Sequence, residues 1–484
     1  MKVSTALAVA IPTPDGPAEP VASSRWASPL DAIFLMGETP ETLMHVGSLM
    51  YFTFPKGEQR SFLPALMSQV RTSPVEQPWT LRLQTHKVMR QPVHRWVEDD
   101  DFDIDYHVRH SSLPSPGGER EVGVLVSRLH SNPLDFRRPP WEIHVIEGLQ
   151  DGRFAVYTKI HHSLVDGYTG MRILQRGLSK DPADRTHLSF FSLTKPPRPE
   201  GSPEPVADIT SILRGLASSL GAMPSVAKAL VNTQLRRGSS TTKAISSYQA
   251  PSSILNHRVG RARRFATQHY SIERLRAIGK ARGSTLNDVL MAICAGGLRR
   301  YLDELEALPE RPLIAFIPVN VRPKDSDGGG NYVGATLVSL ATDVDDPVLR
   351  LAAITASSRA AKARMTGMSG DAVIAYSALL LAPAGLQVVR AMSGLPAPLP
   401  LTLNLCISNV PGPKETLYWR GARLEATYPV SIPGHSMALN ITAHSYAGSI
   451  NLGFIGDRDG MPHLQRLAVH TGEALAELEA ALDL

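Results

Sequence analysis

The 484-residue chain predicts an α+β fold built from more than one domain. Length points there first, because single domains usually hold roughly 100–200 residues. A hydrophobic fraction of 43% and a charged fraction of 20% supply enough apolar side chain for sizeable cores in a soluble protein. Segments of helical period mix with strand-like segments and hairpin signals in both halves, the pattern of helices packed on mixed sheets.

The charge balance narrows the partners. Fifty basic and 45 acidic residues leave a net charge of +5, and no long Lys/Arg run concentrates it. The basic stripe of a nucleic-acid-binding protein is missing, so no nucleic acid partner is expected. Mild attraction to an anionic lipid surface or a phosphate-bearing ligand fits the charge. The only cysteines, Cys294 and Cys406, form no CxxC pair. That excludes a disulfide scaffold and a sulfur-based zinc site, and predicts a cytoplasmic protein.

In chain order, residues 1–27 read as a disordered N-terminal tail. "MKVSTALAVAIP" has a short apolar core without a convincing cleavage region after it. Patterning starts at "SPLDAIFLMGE", and residues 28–193 read as one domain. "TKPPRPEGSPEPV" opens a Pro-rich and helical linker over 194–255. Within it Ile209, Ile212, Leu213, Leu216 and Leu220 recur at helical spacing, and Pro224 suits the start of a second helix. A Ser-rich polar face makes these helices connectors that pack on the domains; the other reading is an interfacial helix on a lipid surface.

A second domain is expected over 256–484. A helix spans "STLNDVLMAICAGGLRRYLDEL", with Ser284 or Thr285 as N-cap. Strands follow at "LIAFIPVNV" and "ATLVSLATDV", and Leu401 to Ser408 alternates as a half-buried strand. "MALNITAHSYAGSINLGFIGD" predicts a hairpin around Ala447-Gly448, and a last helix runs from about His463 to Leu482. The longest apolar run, from Tyr376, is broken by Pro383, Gly385 and Gln387, so no transmembrane helix is predicted.

Chemistry concentrates in "WEIHVIEGLQDGRFAVYTKIHHSLVDG". Two β-rich segments flank Asp151-Gly152, which suits a tight hairpin turn. The second strand, Arg153 to about His161, delivers two histidines at its end. Successive side chains on a strand face opposite ways, so His161 and His162 should not share one site. Metal binding would need further converging ligands, and known zinc motifs space two histidines along one helical face. A structural pair is the default for an arbitrary sequence. More specific is a general base, since a neutral imidazole held by a sheet can take a proton from a hydroxyl. Ser163 lacks the GxSxG setting of a nucleophilic serine, and Cys294 lies in a helix pattern that reads as core.

His161-His162-Ser163-Leu164-Val165-Asp166-Gly167 resembles the H-H-x-x-x-D-G motif of the CoA-dependent acyltransferase superfamily. With "PLDAIFLMGETPETLMHVGSLMYF", "RRPPWEIHVIEGL", "LNDVLMAICAGGLRRYL", "ISNVPGP" and "YPVSI", the chain from Ser28 onward is similar to the bacterial wax ester synthase/acyl-CoA:diacylglycerol acyltransferase family. The resemblance implies two chloramphenicol-acetyltransferase-like domains with mixed sheets flanked by helices. It implies transfer of a fatty acyl group from long-chain acyl-CoA to a fatty alcohol or diacylglycerol, with acyl-CoA as substrate and no cofactor or metal. Peripheral contact with a membrane or lipid droplet is expected, and both apolar substrates call for a tunnel with two mouths. Carried over, His162 is the catalytic base, His161 its supporting neighbour, and Asp166 a mainly structural aspartate followed by Gly167. Asn287 and Asp288 match the family's Asn-Asp pair at the acyl site. The family's Pro-Leu-Trp appears as Pro139-Pro140-Trp141. This places Trp141 on the substrate side or at the start of the strand, while the middle Leu role is not carried over. Alternatives are a non-catalytic lipid-surface protein and an acyltransferase with a non-lipid acceptor.

Overall fold

A computed structural model describes residues 24–27, 29–88, 91–165, 167–186, 189–192, 245, 247–320, 333–393 and 401–484. The first half contains β1 (Arg25–Trp26), α1 (Pro29–Gly37), β2 (His45–Thr53), α2 (Phe62–Thr72), β3 (Leu81–Val88), β4 (Gln91–Glu98) and β5 (Val108–Ser112). It continues with α3 (Glu119–His130), β6 (Trp141–Glu147), β7 (Arg153–His161) and α4 (Gly167–Arg176). The second half contains β8 (Arg263–Ser271), α5 (Ile272–Arg282), α6 (Leu286–Glu304), β9 (Ile314–Asn320), β10 (Val333–Ser339), α7 (Pro347–Met365) and α8 (Gly370–Ser393). It closes with β11 (Leu405–Val410), β12 (Tyr418–Trp419), β13 (Ala422–Val430), β14 (Leu439–Tyr446), β15 (Ser449–Asp457) and α9 (Leu464–Ala480).

Two six-stranded mixed sheets carry the fold, as the α+β reading expects. One has the order β12-β13-β2-β7-β6-β5 and the other β10-β9-β11-β14-β15-β8, while β1-β4-β3 form a smaller sheet. The second core surrounds α6, where every residue from Asp288 to Leu298 is buried. A helix buried all round needs apolar residues on every face, and "VLMAICAGGL" supplies them. Glycines let α9 approach it closely: a Cβ on Gly297 would lie 2.9 Å from the Thr471 nitrogen.

The expected hairpin before the histidines is present. β6 pairs antiparallel with β7, and Asp151 and Gly152 take φ of 61° and 64°. Both angles are left-handed, which Gly adopts freely and Asp tolerates. The segment Leu401 to Ser408 departs from its expectation, because the strand starts only at Leu405. Asn404 is buried, and its Oδ1 accepts the Ile314 amide at 2.8 Å. Thr402 and Cys406 are buried too, so this alternation does not separate solvent from core.

The chain crosses between halves twice more than the sequence divides it. β13, expected within the second domain, pairs antiparallel with β2 of the first sheet over Arg423↔Thr53 to Val430↔Gly47. Ala250, expected in the linker, bridges Leu401 of the second half. Arg25–Trp26, expected in the disordered tail, pairs with Trp96 and Arg95. Residues 1–23 and the linker helices over 209–231 lie outside the described residues. Among the described residues, no helix is long and apolar enough to cross a membrane.

An apolar seam joins the halves. Leu49, Tyr51, Val122, Val126 and Tyr157 meet Phe265, Tyr428, Val430 and Ile455. Beside it Arg263, only 2% exposed, donates to the Gly260 carbonyl at 2.6 Å and to the Glu41 carbonyl. Asp457 lies 3.9 Å from Arg263 and accepts amides of Gly260 and Gly460. His257 donates from Nε2 to Asp457 at 2.9 Å and from Nδ1 to the Ile254 carbonyl at 2.6 Å. With both nitrogens donating, the ring is an imidazolium, and the Asp457 hydrogen bond raises its pKa.

A raised folded-state pKa gives stability that is full below about 6.5 and lost as pH rises through the raised value. Asp457 is held below its ordinary value, because the His257 and glycine hydrogen bonds outweigh burial; its contribution fades as acid protonates it. His257→Gln should therefore lower the urea midpoint more at about pH 5.5 than at about pH 8.5. An equal loss at both would contradict the imidazolium assignment.

Candidate active site

The histidine pair sits where a rigid strand runs out. β7 is central, paired with β2 by His45↔His161 and with β6 by Trp141↔Ile160, and is buried from Phe154 to His161. The His161 amide donates to the Pro140 carbonyl and the His162 amide to the Met44 carbonyl, both at 2.9 Å. Leu164 and Val165 turn back onto the His161 carbonyl and bury their side chains in the first core. Gly167 then starts α4. Asp166 lies outside the described residues.

The two imidazoles occupy different surroundings, as strand alternation expects. His161 is 1% exposed, with Nδ1 2.6 Å from Ser163 Oγ, Nε2 3.5 Å from Glu38 Oε2, and the ring edge-on to Phe136. His162 is half-buried, its ring stacked on Phe34 at 3.8 Å between centroids and 18° between planes. Such a stack holds an imidazole in one plane while leaving its edge for chemistry. Only His162 combines a fixed ring with access.

Two residues before His161, Lys159 is buried, and its ammonium caps the C-terminal end of α3. It donates to the Leu129 and Asn132 carbonyls at 3.2 Å each and pairs with Glu142 at 3.1 Å. Burial pushes the Glu142 carboxyl upward. The His144 hydrogen bond and the charges of Lys159 and Arg109 overcome this and hold it at about 2. The net charge beneath the histidines is therefore balanced, and the cation favours the negative end of the α3 dipole.

The remaining predicted residues have different fates. Trp141 is fully buried, donates from Nε1 to the Trp79 carbonyl at 2.7 Å, and stacks on His107 at 4.4 Å. It starts β6, and its ring is enclosed by Trp79, Phe102, His107 and Phe191, as a strut of the first core. Pro139-Pro140 lead into β6 and supply the carbonyl for His161. Asp288 is a capping residue of α6: its Oδ2 accepts from the Thr285 amide at 2.9 Å and hydroxyl at 2.7 Å. Thr285, not Ser284, is the N-cap. Asn287, half-buried in the first turn, presents its side chain one position earlier.

Between α4 and β14, Met50, Met171, Leu174, Leu424 and His444 line a crevice of about 10 Å³. Burial lowers the His444 imidazole to about 4, so it is neutral there, with Nε2 3.4 Å from Gln175 Nε2. Adaptable methionines line this crevice. A separate cleft of about 580 Å³ opens between α3, β8 and the start of α9, lined partly by Tyr51, Arg120, Arg264 and Arg458. No sequence-predicted site residue lines it. Among the described residues, no group of three His, Cys, Asp or Glu converges on a metal position.

Sequence reading missed Phe34 and Glu38. They are spaced i, i+4 on "PLDAIFLMGE", and the Glu38 amide bonds the Phe34 carbonyl at 3.1 Å, so both address the histidines from one helix end. For Trp141, the structural role predicts that Trp141→Phe costs about 1–3 kcal/mol by orphaning the Trp79 carbonyl. Trp141→Ala should cost about 3–5 kcal/mol in urea unfolding. Wild-type stability with a raised KM would instead make Trp141 a substrate contact.

The catalytic domain of the wax ester synthase/diacylglycerol acyltransferase family matches residues 27–290, and the family's C-terminal domain matches 329–479. A Mycobacterium tuberculosis protein provisionally named diacylglycerol O-acyltransferase is 53% identical over 95% of this chain and 98% of its own. The O-acyltransferase WSD of Acinetobacter baylyi is 39% identical over 94% of this chain and 97% of its own. The solved wax ester synthase/diacylglycerol acyltransferase of Marinobacter aquaeolei superposes with a TM-score of 0.75 at 38% identity, covering 95% of this chain and all of that one. A condensation domain of the calcium-dependent antibiotic synthetase shares the fold alone, at a TM-score of 0.57 and 16% identity over 95% of this chain and 97% of its own. The chain therefore belongs to the wax ester synthase/diacylglycerol acyltransferase family.

Proposed function

We propose that this protein moves a long-chain fatty acyl group from coenzyme A to the hydroxyl of a fatty alcohol or diacylglycerol, with His162 as general base. One observation carries the assignment of the base. At the end of β7, His162 is the half-buried imidazole, held flat by Phe34 and tied through its amide to Met44. His161, enclosed by Glu38, Ser163 and Phe136, cannot meet a substrate without displacing them.

The steps balance without a cofactor. His162 takes the hydroxyl proton as the oxygen attacks the thioester carbonyl carbon. The tetrahedral oxyanion collapses, the carbon–sulfur bond breaks, and the imidazolium returns its proton to the departing thiolate. Oxyanion donors are worth roughly 3–4 kcal/mol each. Asn287 is the candidate the sequence offers; its place in the first turn of α6 puts it at a helix end that favours negative charge. Asp288 supports it through the cap, and Asp166 and Gly167 belong to the turn that follows the base. Both substrates are lipids, which favours work at a membrane or lipid inclusion surface.

Thiol release from palmitoyl-CoA tests the reading, with hexadecanol, diacylglycerol or no acceptor. Release should rise with at least one lipid acceptor, and a folded His162→Ala variant should lose at least about 10²-fold of the stimulated rate. Stimulation by neither lipid would favour a non-lipid acceptor or a binding role. Full activity of His162→Ala would overturn the base.

A further inference from the structure

We infer that Glu38 is a positioning residue for acyl transfer, one carboxylate oxygen facing His161 Nε2 and anchoring the Met44 backbone that holds His162; this rests on the reading of His162 as base. Ser163 fixes which nitrogen of His161 carries the proton. Its amide donates to His161 Nδ1 at 3.2 Å, and its hydroxyl lies 2.6 Å from the same nitrogen. A backbone N–H can only donate, so Nδ1 carries the lone pair and the ring proton sits on Nε2.

That Nε2 is buried and faces Glu38 Oε2 at 3.5 Å. The same oxygen accepts the Met44 amide. Across the Met44 residue, the Met44 carbonyl accepts the His162 amide at 2.9 Å. Oε2 therefore lies against the supporting imidazole at 3.5 Å, short of a hydrogen bond, and holds the catalytic residue through Met44, just ahead of β2. Glu38 is 15% exposed, enough shelter to strengthen both contacts. It stands at the end of α1, one turn past the Phe34 ring that stacks on His162.

The second half of the chain reaches the same loop. The Arg263 guanidinium grips the Glu41 carbonyl, three residues beyond Glu38. Packing of β8 against the loop after α1 thus reinforces the clamp. No nucleophilic role follows for Ser163, which is 2% exposed and spends its hydroxyl on His161.

The test uses the full chain with Glu38→Ala and Glu38→Gln. Glu38→Ala should lower kcat about 10- to 100-fold, as a misplaced base does, with KM for acyl-CoA within about threefold. Glu38→Gln keeps an oxygen for both N–H groups and should recover most of kcat. Imidazole ¹⁵N and ¹H shifts should show His161 protonated at Nε2 in all three proteins, with the Nε2–H resonance displaced in Glu38→Ala and close to wild type in Glu38→Gln. Wild-type kcat in Glu38→Ala, or an unchanged His161 Nε2–H resonance there, would overturn the inference. Failure of the base assignment registers separately as activity in His162→Ala, and it leaves the His161 resonance readout intact.

Discussion

The register between β2 and β7 is the constraint on which the site depends. With His45 opposite His161, the strand ladder ends at the place where the Met44 carbonyl takes the His162 amide. A slip of one residue would turn every side chain of β7 to the other face. His162 would then enter the packed layer between strand and α3, and His161 would lose Ser163 and Glu38. Both faces of β7 are buried, so such a slip would bring apolar residues into the wrong core and is strongly opposed.

Buried charge close to this ladder has the same logic. Lys159 and Glu142 form an ion pair under near-complete burial. A pair of this kind returns little net stability, because desolvation costs offset the attraction. Its consequence is geometric. Lys159 cannot leave the α3 carbonyls without becoming an unpaired buried cation, so α3 and β7 are fastened together two residues before the histidines. On the other side, Phe34 and Glu38 fix the rings from α1. β13 and Arg263 extend the frame to the second half of the chain, so the halves are knit by paired strands as well as by side-chain packing.

Local chemistry made part of this legible in sequence. Asp151-Gly152 demands positive φ, which marks the turn, and strand alternation separates His161 from His162 before any coordinates. Thr285 with Asp288 reads as a helix start, and the cap engages one oxygen of that carboxylate. Non-local pairing was not legible. Nothing in "ARLEATYPV" says that β13 joins a sheet some 370 positions upstream in sequence, by Thr427↔Met50. Trp141 was legible as the start of a strand, whereas its enclosure by Trp79, Phe102 and Phe191 was not, because those partners lie 39 to 62 positions away. Glu38 was within reach, since helical spacing from Phe34 aligns it, but its target lies more than 120 positions away.

The central claim is direct transfer with an imidazole base, although Ser163, His161 and Glu38 line up as a nucleophile, base and acid would. Stopped-flow measurement of thiol release from long-chain acyl-CoA, without acceptor, separates the two. Direct transfer predicts no rapid phase, because no bond to the acyl carbon forms until a hydroxyl arrives. A burst of thiol equal to the enzyme concentration would show an acyl-enzyme and contradict the account.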